Sequence, residues 1–327
     1  MKERLEHKGR PAAVALTGWY IRYNPVEKLK HGLWGVVRTV LIFGISFIIL
    51  YPILMKLSLA FRDKADLFDS SIVWIPRHFT LANIKLVAGY LDYFTAISNT
   101  FVLSAGTAFL QLIACALAGY SFAKLRFKGS GILFAVVIFT IVIPPQTIMA
   151  PTYLHFRFFD IFGLYGLLTG NNGVNLLESY WPFYISSALA MGMKNGLYIF
   201  IFRQFFRGLP KELEEAAYVD GAGVLRTFTS VMLPNAVPAV VTVLLFSFVW
   251  QWNDNYFVNL YMANSTTLSG KLLVLPSHVR PEYVGGIAYS SLLINTGTLL
   301  AIAPIFILYL FVQRYFVESV ERTGLVG

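Results

Sequence analysis

Glu215-Ala216-Ala217-Tyr218-Val219-Asp220-Gly221-Ala222-Gly223-Val224-Leu225-Arg226-Thr227-Phe228-Thr229-Ser230-Val231-Met232-Leu233-Pro234 is the stretch that decides how this chain is read. Pro210 stands at an expected first helical position and Lys211-Glu212-Leu213-Glu214-Glu215 follow. A preset φ, then carboxylates near the positive end of the helix dipole, predicts a helix start. Leu213, Ala216 and Ala217 fall at i, i+3 and i+4, which gives that short helix one apolar face. Gly221 and Gly223 allow a sharp turn, because glycine tolerates positive φ. A second short helix, Val224 to Met232, is expected to end before Pro234.

The surroundings are a membrane protein's. The 327 residues are 57% hydrophobic and 13% charged, against about 45–50% and about 25% in a globular domain. The excess is gathered into blocks long enough to cross a bilayer. Six spans are expected, near residues 36–57, 95–123, 132–153, 180–202, 236–257 and 290–316. The third holds Pro144-Pro145, two missing backbone donors in succession, so it should bend there. Residues 1–35 read as a polar, basic lead-in and 36–94 as the first span with its following loop. The helical domain then covers 95–316, with the Glu215 loop at 208–234, and 317–327 is a tail. The first apolar block is too long for a cleaved leader's core and reads as a retained span. Cys115 is the only cysteine, so no intrachain disulfide is expected.

Six spans place both ends on one side. Of the 26 Lys and Arg, 17 fall in the two termini and the loops after spans two and four, and 8 in the opposite loops. The positive-inside bias therefore puts both termini and the Glu215 loop in the cytoplasm. The net charge of +9 follows from the same bias and needs no nucleic acid.

With that context, Glu215, Ala216, Ala217, Gly221, Val231, Leu233 and Pro234 resemble the EAA motif of permease subunits of binding-protein-dependent ABC importers, with Val231 where isoleucine is commoner. The resemblance implies an all-α integral membrane protein with the type I importer fold of six transmembrane helices and a cytoplasmic coupling helix. It also implies that Glu215, Ala216, Ala217, Gly221, Leu233 and Pro234 belong to an element docking on a separate ATPase. The implied partners are a second permease, an ATPase dimer, an extracytoplasmic solute-binding protein and the lipid bilayer of a bacterial inner membrane. The chain has no G-x-x-x-x-G-K-S/T phosphate loop, no H-E-x-x-H and no G-x-S-x-G. It is therefore expected to be a transport subunit rather than an enzyme and to hold no cofactor or metal, with ATP and Mg bound by the partner ATPase.

Five further residues are candidates for a substrate path. Lys194 falls near the middle of the fourth span beside Gly192, Asn195 and Gly196. A charge at that depth marks a solute pathway or a hinge in a broken helix, or it snorkels or has a structural partner, and both kinds of reading stand. Trp250-Gln251-Trp252-Asn253-Asp254-Asn255-Tyr256 puts aromatic rings beside amide and carboxylate groups in the outer part of the fifth span. Such a stretch suits a sugar. The tryptophans read better as interface anchors, which leaves Asn253 and Asp254 to be accounted for. Trp252-Asn253-Asp254, Gln313-Arg314-Tyr315-Phe316-Val317 and Phe79-Thr80-Leu81-Ala82-Asn83 resemble the carbohydrate-uptake branch, in the subunit similar to the smaller maltose permease partner. That resemblance implies a sugar or oligosaccharide cargo. Other cargo on the same fold, a peptide or an amino acid, is the alternative, followed by an ion-coupled carrier, which no visible inverted repeat supports.

Asp63, Asp66 and Asp69 lack the alternate spacing and glycine of a calcium loop and read as a solvated face. Small residues at four-residue spacing, Ala114/Ala118, Ala188/Gly192/Gly196 and Gly297/Ala301, predict close helix approach.

Overall fold

The computed structural model describes residues 25–324. The basic residues from Lys2 to Arg22 and the last three residues lie outside the described residues. Among the described residues the chain is helical, and two isolated bridges, Arg62–Phe79 and Phe159–Val174, stand where a sheet could begin.

The long elements are α1 (Pro25–Ala60), α2 (Ala82–Leu91), α3 (Tyr93–Lys124), α4 (Ser130–Val142), α5 (Met149–Arg157), α6 (Trp181–Ala188) and α7 (Asn195–Gly208). They are followed by α8 (Glu212–Val219), α9 (Val224–Thr227), α10 (Val237–Trp252), α11 (Tyr256–Tyr261), α12 (Leu268–His278) and α13 (Ile287–Gly324). Helix α1 starts well before the expected span. Pro25 opens it and nothing up to Val36 interrupts it, so the lead-in is helical from residue 25. Three helices are continuous, long and apolar enough to cross a bilayer: Leu29–Ala60, Tyr93–Lys124 and Ile287–Gln313.

The third expected span bends as its prolines require, by 105° between Ser130–Val142 and Pro145–Arg157. The fourth, read as continuous over residues 180–202, is broken. Helix α6 ends at Ala188 and α7 begins at Asn195, with Ala190 at φ 57° and Lys194 at φ 65° between them. Lys194 is thus the residue that opens α7 rather than a mid-helix lysine. The fifth span is shorter than expected. It stops at Trp252, and it joins Val224–Asn235 at 83°.

Helix α3 is the central post. Its Cys115, Ala116 and Tyr120 pack with Tyr198, Phe202 and Phe206 of α7 and with Ala239 and Val243 of α10. The small residues serve contacts within the chain. A Cβ on Gly119 would lie 2.5 Å from Phe202 Cβ and 3.0 Å from the Arg203 nitrogen, and one on Gly196 would strike Thr140 and the Val137 carbonyl of α4. Gly297 faces Leu275 of α12 in the same way.

Of the three loop carboxylates, Asp63 and Asp69 keep access to solvent and Asp66 does not. Asp66 is buried and accepts from His78 N at 2.9 Å and contacts His78 Nδ1 at 2.6 Å. Asp63 caps the turn Lys64–Phe68 through Ala65 N. Asp69 accepts from Ser71 and pairs with Arg77 at 3.1 Å. Each is consumed by the loop's own backbone.

Substituting Gly119→Val forces α3 from α7 and is expected to cost about 1–3 kcal/mol. Gly89→Ala, with open space at its Cβ, is expected to be neutral or slightly stabilising. Thermal unfolding of the two purified variants in detergent checks the contrast.

Candidate functional site

Two regions hold the predicted site residues. The first is the Glu215 stretch. Helix α8 ends in a crossed pair of backbone bonds, Gly221 N to Tyr218 O at 3.0 Å and Ala222 N to Ala217 O at 2.9 Å. This terminus requires a left-handed residue after the helix, and Gly221 supplies it at φ 79°. Glu215, Ala216 and Gly221 are exposed, as are Tyr218, Val219, Val224 and Leu225, whereas Ala217 is buried. Val219 retains 87% and Leu225 67% of full exposure. The turn therefore presents Tyr218, Val219, Val224 and Leu225 outward among the charged side chains Glu212, Glu215, Asp220 and Arg226.

Pro234 does not end the second short helix. The chain runs α9, then a wider π turn over Phe228–Met232, then helical Leu233–Asn235, before it bends at Ala236. The wider turn relaxes the hydrogen-bond ladder just where proline offers no donor.

What fixes this knob to the bundle was not among the predicted residues. Glu214 is buried at the foot of α8. Its Oε2 pairs with Lys124 Nζ at 3.2 Å, and its Oε1 accepts from Tyr120 OH at 2.9 Å. Lys124 Nζ also donates to Leu209 O at 3.0 Å. Both carboxylate oxygens are engaged and the ammonium has a second acceptor, the condition under which a buried pair holds rather than destabilises. A signal existed: Glu214 shares the inner face with Ala217 three residues on.

The second region is the break between α6 and α7. Gln111 of α3, buried, donates to Met193 O at 3.0 Å and accepts from Ser247 Oγ of α10. Cys115 Sγ reaches Asn195 O at 3.7 Å. Asn195 is buried beside Gln111. The segment's own turns, Ala190 N to Ser187 O and Met191 N to Ser186 O, meet part of its backbone, and Gln111, held by Ser247, meets the Met193 carbonyl.

Lys194 and Asn195 line a cavity of about 300 Å³, together with Thr140, Ile141 and Phe257. The Lys194 ammonium lies 4.7 Å from the centre of the half-exposed Trp250 ring, a cation–π contact. Asp254 lines an adjoining cavity of about 50 Å³ with Gln251, Ser187 and Met193. One of its oxygens accepts from Tyr256 N and Phe257 N and so starts α11. Asn253 is not with them. It faces a separate cleft of about 380 Å³ bounded by Thr298 and Ala301 of α13. Trp252, read as an interface anchor, is buried against Phe248 and Leu268. The break therefore gathers Lys194, Asn195, Trp250 and Asp254 with Gln251 of the same stretch, and Gln111 of α3 is the member that no sequence pattern singles out.

Glu214→Ala leaves Lys124 buried without its counter-charge and is expected to cost about 3–5 kcal/mol. The double change Glu214→Leu with Lys124→Met should cost clearly less. Chemical denaturation of the single and double variants tests the difference.

Comparison with known proteins agrees with this architecture. The maltodextrin transport system permease protein MdxG of Bacillus subtilis is 28% identical over 286 residues, 86% of this chain and 93% of MdxG. The arabinooligosaccharides transport system permease protein AraQ of Halalkalibacterium halodurans is 28% identical over 288 residues, again 86% and 93%. A chain in the crystal structure of a bacterial ABC transporter involved in the import of the acidic polysaccharide alginate superposes with a TM-score of 0.69 at 21% identity. That match covers 90% of this chain and 99% of the other, and it shows a shared all-helical permease fold. The profile of one family, described as the binding-protein-dependent transport system inner membrane component, matches residues 111–322. That match takes in the broken helix, the Glu215 knob and the bent fifth span, and the chain belongs to this family of inner-membrane transport components.

Proposed function

We propose that this chain is one of two permease subunits of an ATP-driven importer, and that the two together enclose the path of a sugar or oligosaccharide. Family membership supports the role. The cargo class rests on the relatives, whose names specify maltodextrin, arabinooligosaccharides and starch degradation products. An extracytoplasmic binding protein delivers the sugar. The ATPase subunits hold ATP and Mg, so this chain contributes no cofactor. Six crossings are counted as the three continuous helices, the two bent pairs and the broken pair α6–α7. With the basic residues inside, both termini and the knob are cytoplasmic.

The observation that carries this reading is the knob. Its outer surface carries the exposed apolar side chains Val219, Val224 and Leu225 beside Glu215, its end is shaped by Gly221, and its foot is tied to α3 through Glu214 and Lys124. An exposed apolar patch on a rigid foot suits docking into a groove of another chain. Closure of the ATPase dimer on ATP draws the two knobs together, and α3 carries the displacement to the broken helix. The cavity there then turns from one side of the membrane to the other, a biased two-state equilibrium.

Glu215→Lys reverses the charge of the docking face, and Gly221→Leu forces a branched residue into the left-handed region at a cost of about 1–3 kcal/mol. Both variants are expected to lose copurification with the ATPase and to abolish uptake in cells. Retention of both ATPase association and uptake would show that the knob is not the docking element.

A further inference from the structure

The connection from α5 to α6 carries an apolar face that nothing among the described residues covers. Ile161 and Leu164 are exposed, Leu167 and Leu168 are 82% exposed, and Phe162 is 97% exposed. No charged residue stands between Asp160 and Glu178, whereas about one residue in four is charged in a water-soluble domain. A contiguous patch of this kind marks a surface made for a partner or a membrane.

Three observations choose the membrane. The first is depth. Helix α4 leaves the basic loop of Lys124, Arg126 and Lys128, and its 13 residues rise about 20 Å. It exposes Ile132, Val136, Phe139 and Val142, as a helix against lipid does. The chain then turns by 105° into Pro145–Arg157. With a hydrocarbon core of about 30 Å, α5 runs nearly level in the outer part of the bilayer and delivers the connection there. The second is the backbone. The Asp160 carboxylate accepts from Tyr165 N at 2.8 Å and Gly166 N at 2.9 Å. Leu167 N donates to Gly163 O and Gly170 N to Gly166 O, and Phe159 and Val174 exchange two bonds at the neck. Lipid supplies no hydrogen bonds, so an element that enters it must meet its backbone from within. The third is two-sidedness. The apolar residues give way to Gly170-Asn171-Asn172-Gly173, where both asparagines are exposed, and an element divided in this way lies at a membrane interface. Phe162 at φ 55° and Gly163 at φ 78° are successive left-handed residues, and a bulky residue held in that region is a strain kept where the structure uses it.

We propose that residues 158–168 are a wedge set into the outer leaflet, with Phe162 at its tip and Asn171 and Asn172 at headgroup level. Phe156 of α5 packs on Tyr261 beside the small cavity, so the wedge ties that wall to the membrane. The choice of leaflet rests on the topology proposed above; the insertion itself does not.

The test labels Phe162→Cys, Leu168→Cys and Asn172→Cys, one at a time, with an environment-sensitive fluorophore in the complete complex. Cys115, the chain's only cysteine, is fully buried, and the complex with the parent chain gives the background. Each labelled complex is placed in vesicles of phosphatidylethanolamine and phosphatidylglycerol, a part of which carries a nitroxide either high or low on the acyl chain. At 162 and 168 the emission is expected to shift to the blue and to lose most of its intensity to the high nitroxide and less to the low one, the order that insertion by about 5–10 Å gives. At 172 it is expected to stay water-like. Water-like emission at 162 and 168 would overturn the proposal. So would blue emission that neither nitroxide quenches, because a protein chain would then cover the face. The readout needs no uptake, so a complex that transports nothing removes the importer reading and leaves the wedge to be decided by fluorescence alone.

Discussion

A chain segment that leaves the helix beside an apolar bundle must find its hydrogen bonds in its own turns or from its neighbours, and the packing around the break follows from that requirement. Between Ala188 and Asn195 the fourth expected span loses its regular ladder and keeps short turns, Ala190 N to Ser187 O and Met191 N to Ser186 O. Water cannot supply the missing partners in lipid, where each unmet backbone group costs several kcal/mol. Gln111 of α3 supplies one, and Ser247 of α10 holds Gln111 in place. Packing follows from this chemistry. Helix α3 must run beside both α7 and α10, and Gly119, against Phe202, and Gly192, against Gln111 itself, permit the close approach that brings the carboxamide to the break. A broken helix, a central post and a buried amide are therefore one device.

The same post meets the knob at its other end. Tyr120 and Lys124, in the last turn of α3, hold Glu214 from two directions. Between Gln111 and Lys124 the helix is uninterrupted, and a helix resists axial compression far better than a loop does. The aromatic stack of Tyr120, Phe206 and Phe228 fills the space where α7, the π turn and α3 converge. A displacement of the knob has little slack to take up before it reaches the cavity beside Lys194.

Much of this was legible in the chain. Glycine at 221 and the alternation of Leu213, Ala216 and Ala217 gave the knob's helix and its left-handed end, because both are local requirements. The bend at Pro144-Pro145 was legible for the same reason. The break at Ala190–Lys194 was legible only as one option, a hinge at Lys194 beside Gly192, Asn195 and Gly196, while the span was read as continuous. The bond from Gln111 to Met193 O, which joins positions some eighty apart, has no local sign. Glu214 was missed because a carboxylate on a helix surface is usually solvated, and only the arrival of Lys124 from a distant helix makes it otherwise. Pro234 was misjudged since a π turn, which has no sequence rule of its own, absorbs the proline. Trp252 looked like an interfacial anchor until Phe248 and Leu268 closed over it.

The tie between Tyr120 and Glu214 joins residues separated by 94 positions in the chain. At a synthesis rate of about 5–20 residues per second, the carboxylate leaves the ribosome roughly 5–19 s after the tyrosine. For that interval the end of α3 carries a lysine and a phenol with nothing to hold them, while α4 to α7 are still being threaded into the bilayer. The nascent chain must keep this helix terminus hydrated until its counter-charge emerges, which makes the order of insertion part of how the subunit is built.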